Sequence, residues 1–241
     1  MKYFFDTEFI EGFKKPLFDK RRHFIDLISI GIVCEDGRTY YAVSNEFNPK
    51  NADKWVTENI LDKIELEFYH KQSPYAKSYH WESLKLKNFL KWYGKSNKRI
   101  ANDIIAFVYP DIFKNFTDAE DEFISRTKEY GWNTEKPEFY AYYADYDWVV
   151  FCSLFGRMID LPKEFPMYCV DLKQYIDDAA NKFMSFGVGT HTAGDKVYPD
   201  NFEMALDWVK SRRNYPKQEN EHNALDDAKW NYELYKFLQT I

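Results

Sequence analysis

The chain is short of several things, and each shortage narrows what it can be. It has three cysteines, Cys34, Cys152 and Cys169, an odd number with no CxxC spacing. Neither a disulfide framework nor a cysteine-held zinc site is expected, and reduced core thiols are. No apolar run reaches the roughly 18 residues of a membrane-spanning helix. The N-terminus has no signal-peptide pattern, because Asp6 and Glu8 interrupt its apolar stretch. These absences predict a soluble, cytoplasmic protein without a membrane partner. Positive charge is also in deficit: 33 Lys and Arg stand against 39 Asp and Glu, a formal net charge of −6. No general basic surface advertises nucleic acid, so metal ions or local basic segments would have to supply any such attraction. Internal repeats, low-complexity tracts and linkers are absent.

Rings are abundant. Apolar residues make up 45% of the 241 positions and aromatics 20%, which predicts a ring-rich core. That length suits one domain or two small ones. The opening stretch "YFFDTEFIEG" (Tyr3 to Gly12) reads as a strand, and alternation puts Asp6 and Glu8 on one face. Two buried, unpaired carboxylates would cost several kcal/mol or shift toward their protonated forms. One resolution ends the strand in solvent and pairs an acid with Lys or Arg. The other is a divalent cation, which needs further carboxylates.

A basic, irregular segment, "KKPLFDKRRH" (Lys14 to His23), follows. Ile25 to Cys34 and Thr39 to Val43 read as a hairpin about Asp36-Gly37, giving three antiparallel strands with the first. Residues 49–135 read as mainly helical, with helices over 51–65, 81–94 and 118–131, while "RIANDIIAFVY" fits helix or strand. Phe139 to Ala144 reads as a strand, Trp148 to Phe155 as a helix and Met167 to Leu172 as a short strand. Ser185 to Asn201 reads as loop, then helices cover Phe202 to Lys210 and about Ala224 to Leu238. Strands followed by alternating helices and strands predict an α/β domain with a mixed sheet.

Two more acidic clusters stand out. "YYADYDWVVF" sets Asp145 and Asp147 where a strand hands over to a helix, a usual place for chemistry in α/β folds. One of the two is expected to cap that helix. In "EHNALDDAKWNYELYKFL", Asn223 reads as the N-cap with Asp226 in a capping-box role, leaving Asp227 free and His222 just outside the helix. Leu225, Ala228, Tyr232 and Tyr235 read as the packing stripe.

"FFDTEF", "YYADYDWVVF" and "HNALDDA" resemble, in that order, the three motifs of the DEDD exonuclease superfamily. The histidine with four intervening residues before its Asp is similar to the DEDDh branch. "YFFDTEFIE", "IDLISIGIVCEDGRTYYAVSNEF" and "YDWVVFCSLFG" are most similar to mycobacterial-type 3′–5′ exoribonucleases. The resemblance implies an RNase H-like α/β fold: a central mixed β-sheet containing a three-stranded antiparallel meander, flanked by helices. Residues 1–241 would form a single exonuclease domain, with a helical insertion about 63–130 and a loop-rich one about 181–220.

It further implies two divalent cations, Mg²⁺ or Mn²⁺, held by Asp6, Glu8, Asp147 and Asp227, with His222 as general base. Two hard cations neutralise carboxylates that would otherwise repel, and oxygen-only ligands suit such ions. Roughly 4 Å apart, they can clamp the attacking and leaving oxygens of an in-line displacement. An imidazole can take a proton from water at neutral pH. The implied substrate is RNA, at a single-stranded 3′ end or the 3′ overhang of a duplex, with DNA as an alternative and nucleoside 5′-monophosphates as products. Thr7, Phe9 and Ile10 would meet the terminal nucleotide, although Phe9-Ile10-Glu11 replaces the Thr-Gly-Leu of other branch members. Lys14–Arg22, Lys95–Arg99 and Arg212–Arg213 are candidates for tracking phosphates. The family suggests a homodimer. An inactive nucleic-acid-binding module and a metal-dependent phosphatase or nucleotide hydrolase are the competing readings.

Overall fold

Five strands form one mixed sheet in the order β3-β2-β1-β4-β5. The computed structural model describes residues 1–14, 21–64, 89–110, 136–185 and 201–241. Strand β1 (Lys2–Lys14) runs antiparallel to β2 (Arg22–Cys34), which runs antiparallel to β3 (Thr39–Val43). Strand β4 (Glu138–Ala141) is parallel to β1, and β5 (Val170–Asp171) is parallel to β4. The longer helices among the described residues are α1 (Asn97–Val108), α2 (Ala144–Phe155), α3 (Leu172–Ser185), α4 (Phe202–Lys210) and α5 (Ala224–Leu238).

Alternation along β1 assigns the two faces. Tyr3 and Phe5 point to the side of α1 and α2, joining Phe139 and Phe151 in a ring-rich core. Phe4 points the other way, into the core shared with α3, α4 and α5 through Leu172, Val209 and Leu234. A third cluster joins Ile10, Ile28 and Val43 to Ile60 and Leu61. The last two belong to a helical passage, Lys54–Val56 continuing as a π-helical turn Thr57–Leu61. The ambiguous stretch near Ile104 is helical: Ile100, Ile104, Ile105 and Val108 share the buried side of α1, whose start Ser96 caps.

Several boundaries differ from the sequence expectation. Strands β1 and β2 run further than expected and pair as far as Lys14↔Arg22, where irregular chain was expected. β4 ends early because Tyr143 turns left-handed, at φ 56°, and α2 starts at Ala144 rather than Trp148. β5 is reduced to two residues, since Leu172 already begins α3. Helix α5 buries Ala224, Asp227, Ala228, Trp230, Asn231, Leu234, Phe237 and Leu238. Of the expected stripe, Ala228 is buried, Tyr232 and Tyr235 pack in the core around Phe4, and Leu225 is half-buried. The helix expected at 118–131, the start of that at 81–94, most of the loop at 185–201 and much of both expected insertions lie outside the described residues.

Two features of the sheet make room for a site. β4 pairs with β1 at Lys2, Tyr3 and Phe4, and β1 continues beyond it. Phe5 and Thr7 therefore direct backbone groups at an open edge, and buried backbone groups demand partners. Asn231 Nδ2 donates to the Phe5 carbonyl at 2.9 Å, and Thr7 N–H donates to Asp147 Oδ1 at 2.8 Å. Helices α5 and α2 thus close the edge that β4 leaves open. The second feature is Gly31, which lies directly opposite Asp6. A Cβ there would stand 2.3 Å from the Ala224 carbonyl oxygen and 2.4 Å from the Leu225 Cα. Only a residue without a side chain lets the first turn of α5 lie on the sheet beside Asp6.

Candidate active site

The open edge sits at the carboxyl end of β4, where ligands bind in α/β sheets. Asp6 and Glu8 project from β1 on the face shared with Phe4, toward α5. Asp227, in the first turn of α5, meets them there. One ligand-competent oxygen from each of Asp6, Glu8 and Asp227 lies within 4.8 Å of the others. Asp147 enters from the first turn of α2 and is 6% exposed. With His222, these acids line a cavity of roughly 360 Å³.

Two of the carboxylates are held by their neighbours. Asp147 Oδ1 accepts from the Thr7 backbone N–H at 2.8 Å and the Thr7 hydroxyl at 2.6 Å. Asp227 accepts from Gln218 Nε2 at 2.6 Å and from the His222 backbone N–H at 2.8 Å. His222 is left-handed, at φ 67°, just before the Asn223 cap. Asn223 Oδ1 accepts from the amides of Leu225 and Asp226, as an N-cap does. Asp226 turns outward to Lys229 and Asn220. Of the two acids on α2, Asp147 is buried and Asp145 exposed. Neither caps the helix: Tyr143 occupies that position without a side-chain bond, because the helix begins early enough to put both acids in its first turn. The expectation of an Asp cap is corrected accordingly.

The electrostatics are those of an anion cluster short of cations. Burial pushes Asp6 well above the usual carboxylate range, and Asp147, Glu8 and Asp227 add to it. Burial, then Asp227 and Asp147, raise Glu8 to about 8, against a smaller opposing pull from Lys63. Burial raises Asp147 to about 7, although the two Thr7 hydrogen bonds oppose it. Asp227 is raised by burial as well, against its bonds from Gln218 and His222. Among the described residues no Lys or Arg lines the cavity or ion-pairs with Asp6 or Glu8. Among the described residues, the resolution in which one acid reaches solvent and the other a basic side chain is not the one adopted. Three converging carboxylates, Asp6, Glu8 and Asp227, with Asp147 outside that 4.8 Å group but lining the same cavity, are a chemical fit for hard divalent cations.

Other expected residues divide. Thr7 and Phe9 line the cavity, and the Phe9 ring stacks on Tyr146 at 5.9 Å between centroids and 9° between planes. Ile10 lies elsewhere, 1% exposed in the core with Ile28 and Val43, so its side chain is committed to packing. Lys95 and Arg99 both pair with Asp103, and Arg212 lies over Trp208. Sequence reasoning missed Gln218, Asn231, Trp230 and three tyrosines at 142, 143 and 146, all of which line the cavity. Asn231 carried a signal, being a polar residue four positions after Asp227 on an otherwise apolar helix side. Gln218, in an aperiodic loop, carried none.

A family model described as the 3′–5′ exoribonuclease Rv2179c-like domain matches residues 1–239. The chain is 33% identical over 178 residues to the 3′–5′ exoribonuclease Rv2179c of Mycobacterium tuberculosis strain H37Rv, covering 74% of this chain and 75% of that protein. It has the same identity and coverage with the 3′–5′ exoribonuclease MT2234.1 of strain CDC 1551.

Proposed function

Because the chain belongs to the Rv2179c-like 3′–5′ exoribonuclease family, we propose that it removes nucleotides from RNA 3′ ends by metal-dependent hydrolysis and releases nucleoside 5′-monophosphates. Asp6, Glu8, Asp147 and Asp227 would hold two divalent cations, Mg²⁺ or Mn²⁺. The observation that carries this reading is the convergence of Asp6 and Glu8 with Asp227, more than 200 residues away in sequence, to within 4.8 Å. When bound, such ions polarise the scissile phosphate and lower the pKa of a water molecule.

The chain's own side chains do the rest. His222 borders the cavity with its imbalance of negative charge nearby, and takes the proton of the attacking water. Gln218 and the His222 amide fix both oxygens of Asp227, and Thr7 fixes Asp147, so these two acids are oriented before a cation arrives. The stacked rings of Phe9 and Tyr146 offer a π-face to a terminal base, which suits single-stranded substrate irrespective of sequence. The side chain of Ile10 has no part in this. RNA is preferred to DNA, following the activity in the family's description. We read residues 1–241 as one exonuclease domain, in line with the span of the family match. A cytoplasmic location accords with three free cysteines. Among the described residues no helix is long and apolar enough to cross a membrane.

The test is incubation with 5′-labelled RNA in Mg²⁺ or Mn²⁺, beside an EDTA control. Stepwise shortening from the 3′ end, abolished by EDTA, is expected. Intact RNA retained without metal would mean a binding module, and phosphate released from mononucleotides alone would mean a phosphatase.

A further inference from the structure

The loop before α5 holds two non-glycine residues in the left-handed region, Asn220 at φ 54° and His222 at φ 67°. Such a backbone persists only where its surroundings hold it. Asn220 Nδ2 donates to Asp226 Oδ2 at 2.7 Å, and His222 N–H donates to Asp227 Oδ2 at 2.8 Å. Both of these restraints come from α5. The others come from the helical passage that starts at Lys54, remote in sequence. Lys63 Nζ donates to the Glu221 carbonyl at 2.6 Å, and the Trp55 indole meets the His222 imidazole edge-to-face, centroids 4.8 Å apart and planes at 79°.

Trp55 is an odd residue to find there if packing were its purpose. It is 52% exposed and stands outside all three apolar clusters, whereas Ile60 and Leu61 on the same passage are 2% and 1% exposed in the core. Asp53 accepts from the Val56 amide at 2.8 Å and starts the passage. The indole is thus presented from an anchored base. The backbone of His222 is fixed by Asp227 and its ring by Trp55, so one side of the imidazole's rotation is walled off.

We propose that Trp55 is a positioning residue for His222, holding the imidazole in the orientation that faces the acids. This rests on the reading of His222 as general base. The experiment uses the full-length protein and variants Trp55→Ala, Trp55→Phe, His222→Ala and the double variant Trp55→Ala/His222→Ala. NMR signals of the His222 imidazole, identified by their loss in His222→Ala, should move in Trp55→Ala as the indole ring current disappears. Trp55→Ala should lower kcat about tenfold to hundredfold, the range expected of a misplaced catalytic group, with KM and the Mg²⁺ requirement unchanged. Trp55→Phe, which keeps an aromatic wall, should recover most of the rate. In the His222→Ala background, Trp55→Ala should have no further effect. A raised KM at unchanged kcat would overturn the proposal in favour of a substrate platform. An additive loss in the double variant, or imidazole signals that do not move, would overturn it too. If His222→Ala itself retains full activity, the general-base reading fails, and the His222 Hα–Hβ couplings, those of a single rotamer in the wild type and averaged in Trp55→Ala, still decide whether Trp55 holds the ring.

Discussion

Substituting Glu8 by Gln should make the metal-free protein more stable and inactive at once. Glu8 is 8% exposed, and burial beside Asp227 and Asp147 raises its carboxyl from 4.5 to about 8. A folded-state value above the unfolded one means that the native protein binds the extra proton. Stability is then lost as pH rises from about 4.5 through about 8, and the penalty is complete above that. At about 1.4 kcal/mol per pH unit, that interval bounds the cost of ionised Glu8 at about 5 kcal/mol. Neighbouring acids relax when the charge goes, so about 2–3 kcal/mol should be recovered by Glu8→Gln at pH 9 in EDTA. For a chain of this size that is a rise in Tm of roughly 5–10 °C. At pH 5 the gain should nearly vanish, because wild-type Glu8 is then protonated in the fold. Scanning calorimetry in EDTA at pH 5, 7 and 9 reads this directly. In Mg²⁺ the advantage should shrink, since a hundredfold excess over Kd stabilises the wild type by about 2.7 kcal/mol. A Glu8→Gln protein that melts below wild type at pH 9 in EDTA, or whose gain is equal at pH 5 and 9, would refute the account of a repulsive anion cluster.

Three further outcomes are expected. Asp227→Asn should abolish RNA shortening, whereas Asp226→Asn, which loses exposed contacts to Lys229 and Asn220, should cost at most about 1 kcal/mol and keep activity; the opposite pattern would exchange their roles. Gly31→Ala should destabilise by about 1–3 kcal/mol or more and remove activity with every acid intact, because its methyl group displaces the start of α5; unchanged Tm and rate would show that the helix does not need that close approach. His222→Ala should slow turnover by roughly a hundredfold or more while calorimetric Mg²⁺ affinity holds, and a large loss of metal binding would make the imidazole a ligand instead.

Local signals in the chain were readable where the physics is local. Asp36-Gly37 marks a turn, and Gly37 has the positive φ, 91°, that such a turn asks of glycine. Asn223 marks the start of α5, because a side chain that bonds free amides two and three residues ahead needs nothing else from the fold. Alternation places Asp6 and Glu8 together for the same reason. The early start of α2 was not readable, since it depends on a left-handed Tyr143 whose amide is held by Asp171 at 3.1 Å, 28 residues away. The packing side of α5 was legible in part: Ala228 is buried, and Tyr232 and Tyr235 do pack in the core around Phe4. The burial of polar Asp227 and Asn231 was not legible, because burial of polar groups is decided by the partners that satisfy them.

The amino-acid order by itself determined the strands and helices and the acidic groups they would carry, because periodicity, turns and caps act over a few residues. Only the tertiary structure decided that those groups would meet. It does so through a β4 that leaves the edge of β1 open, through a glycine that lets α5 rest on the sheet, and through pairs that meet from distant parts of the chain, Thr7 with Asp147 and Trp55 with His222. Such contacts depend on how elements pack in space, and no short stretch of sequence contains that information.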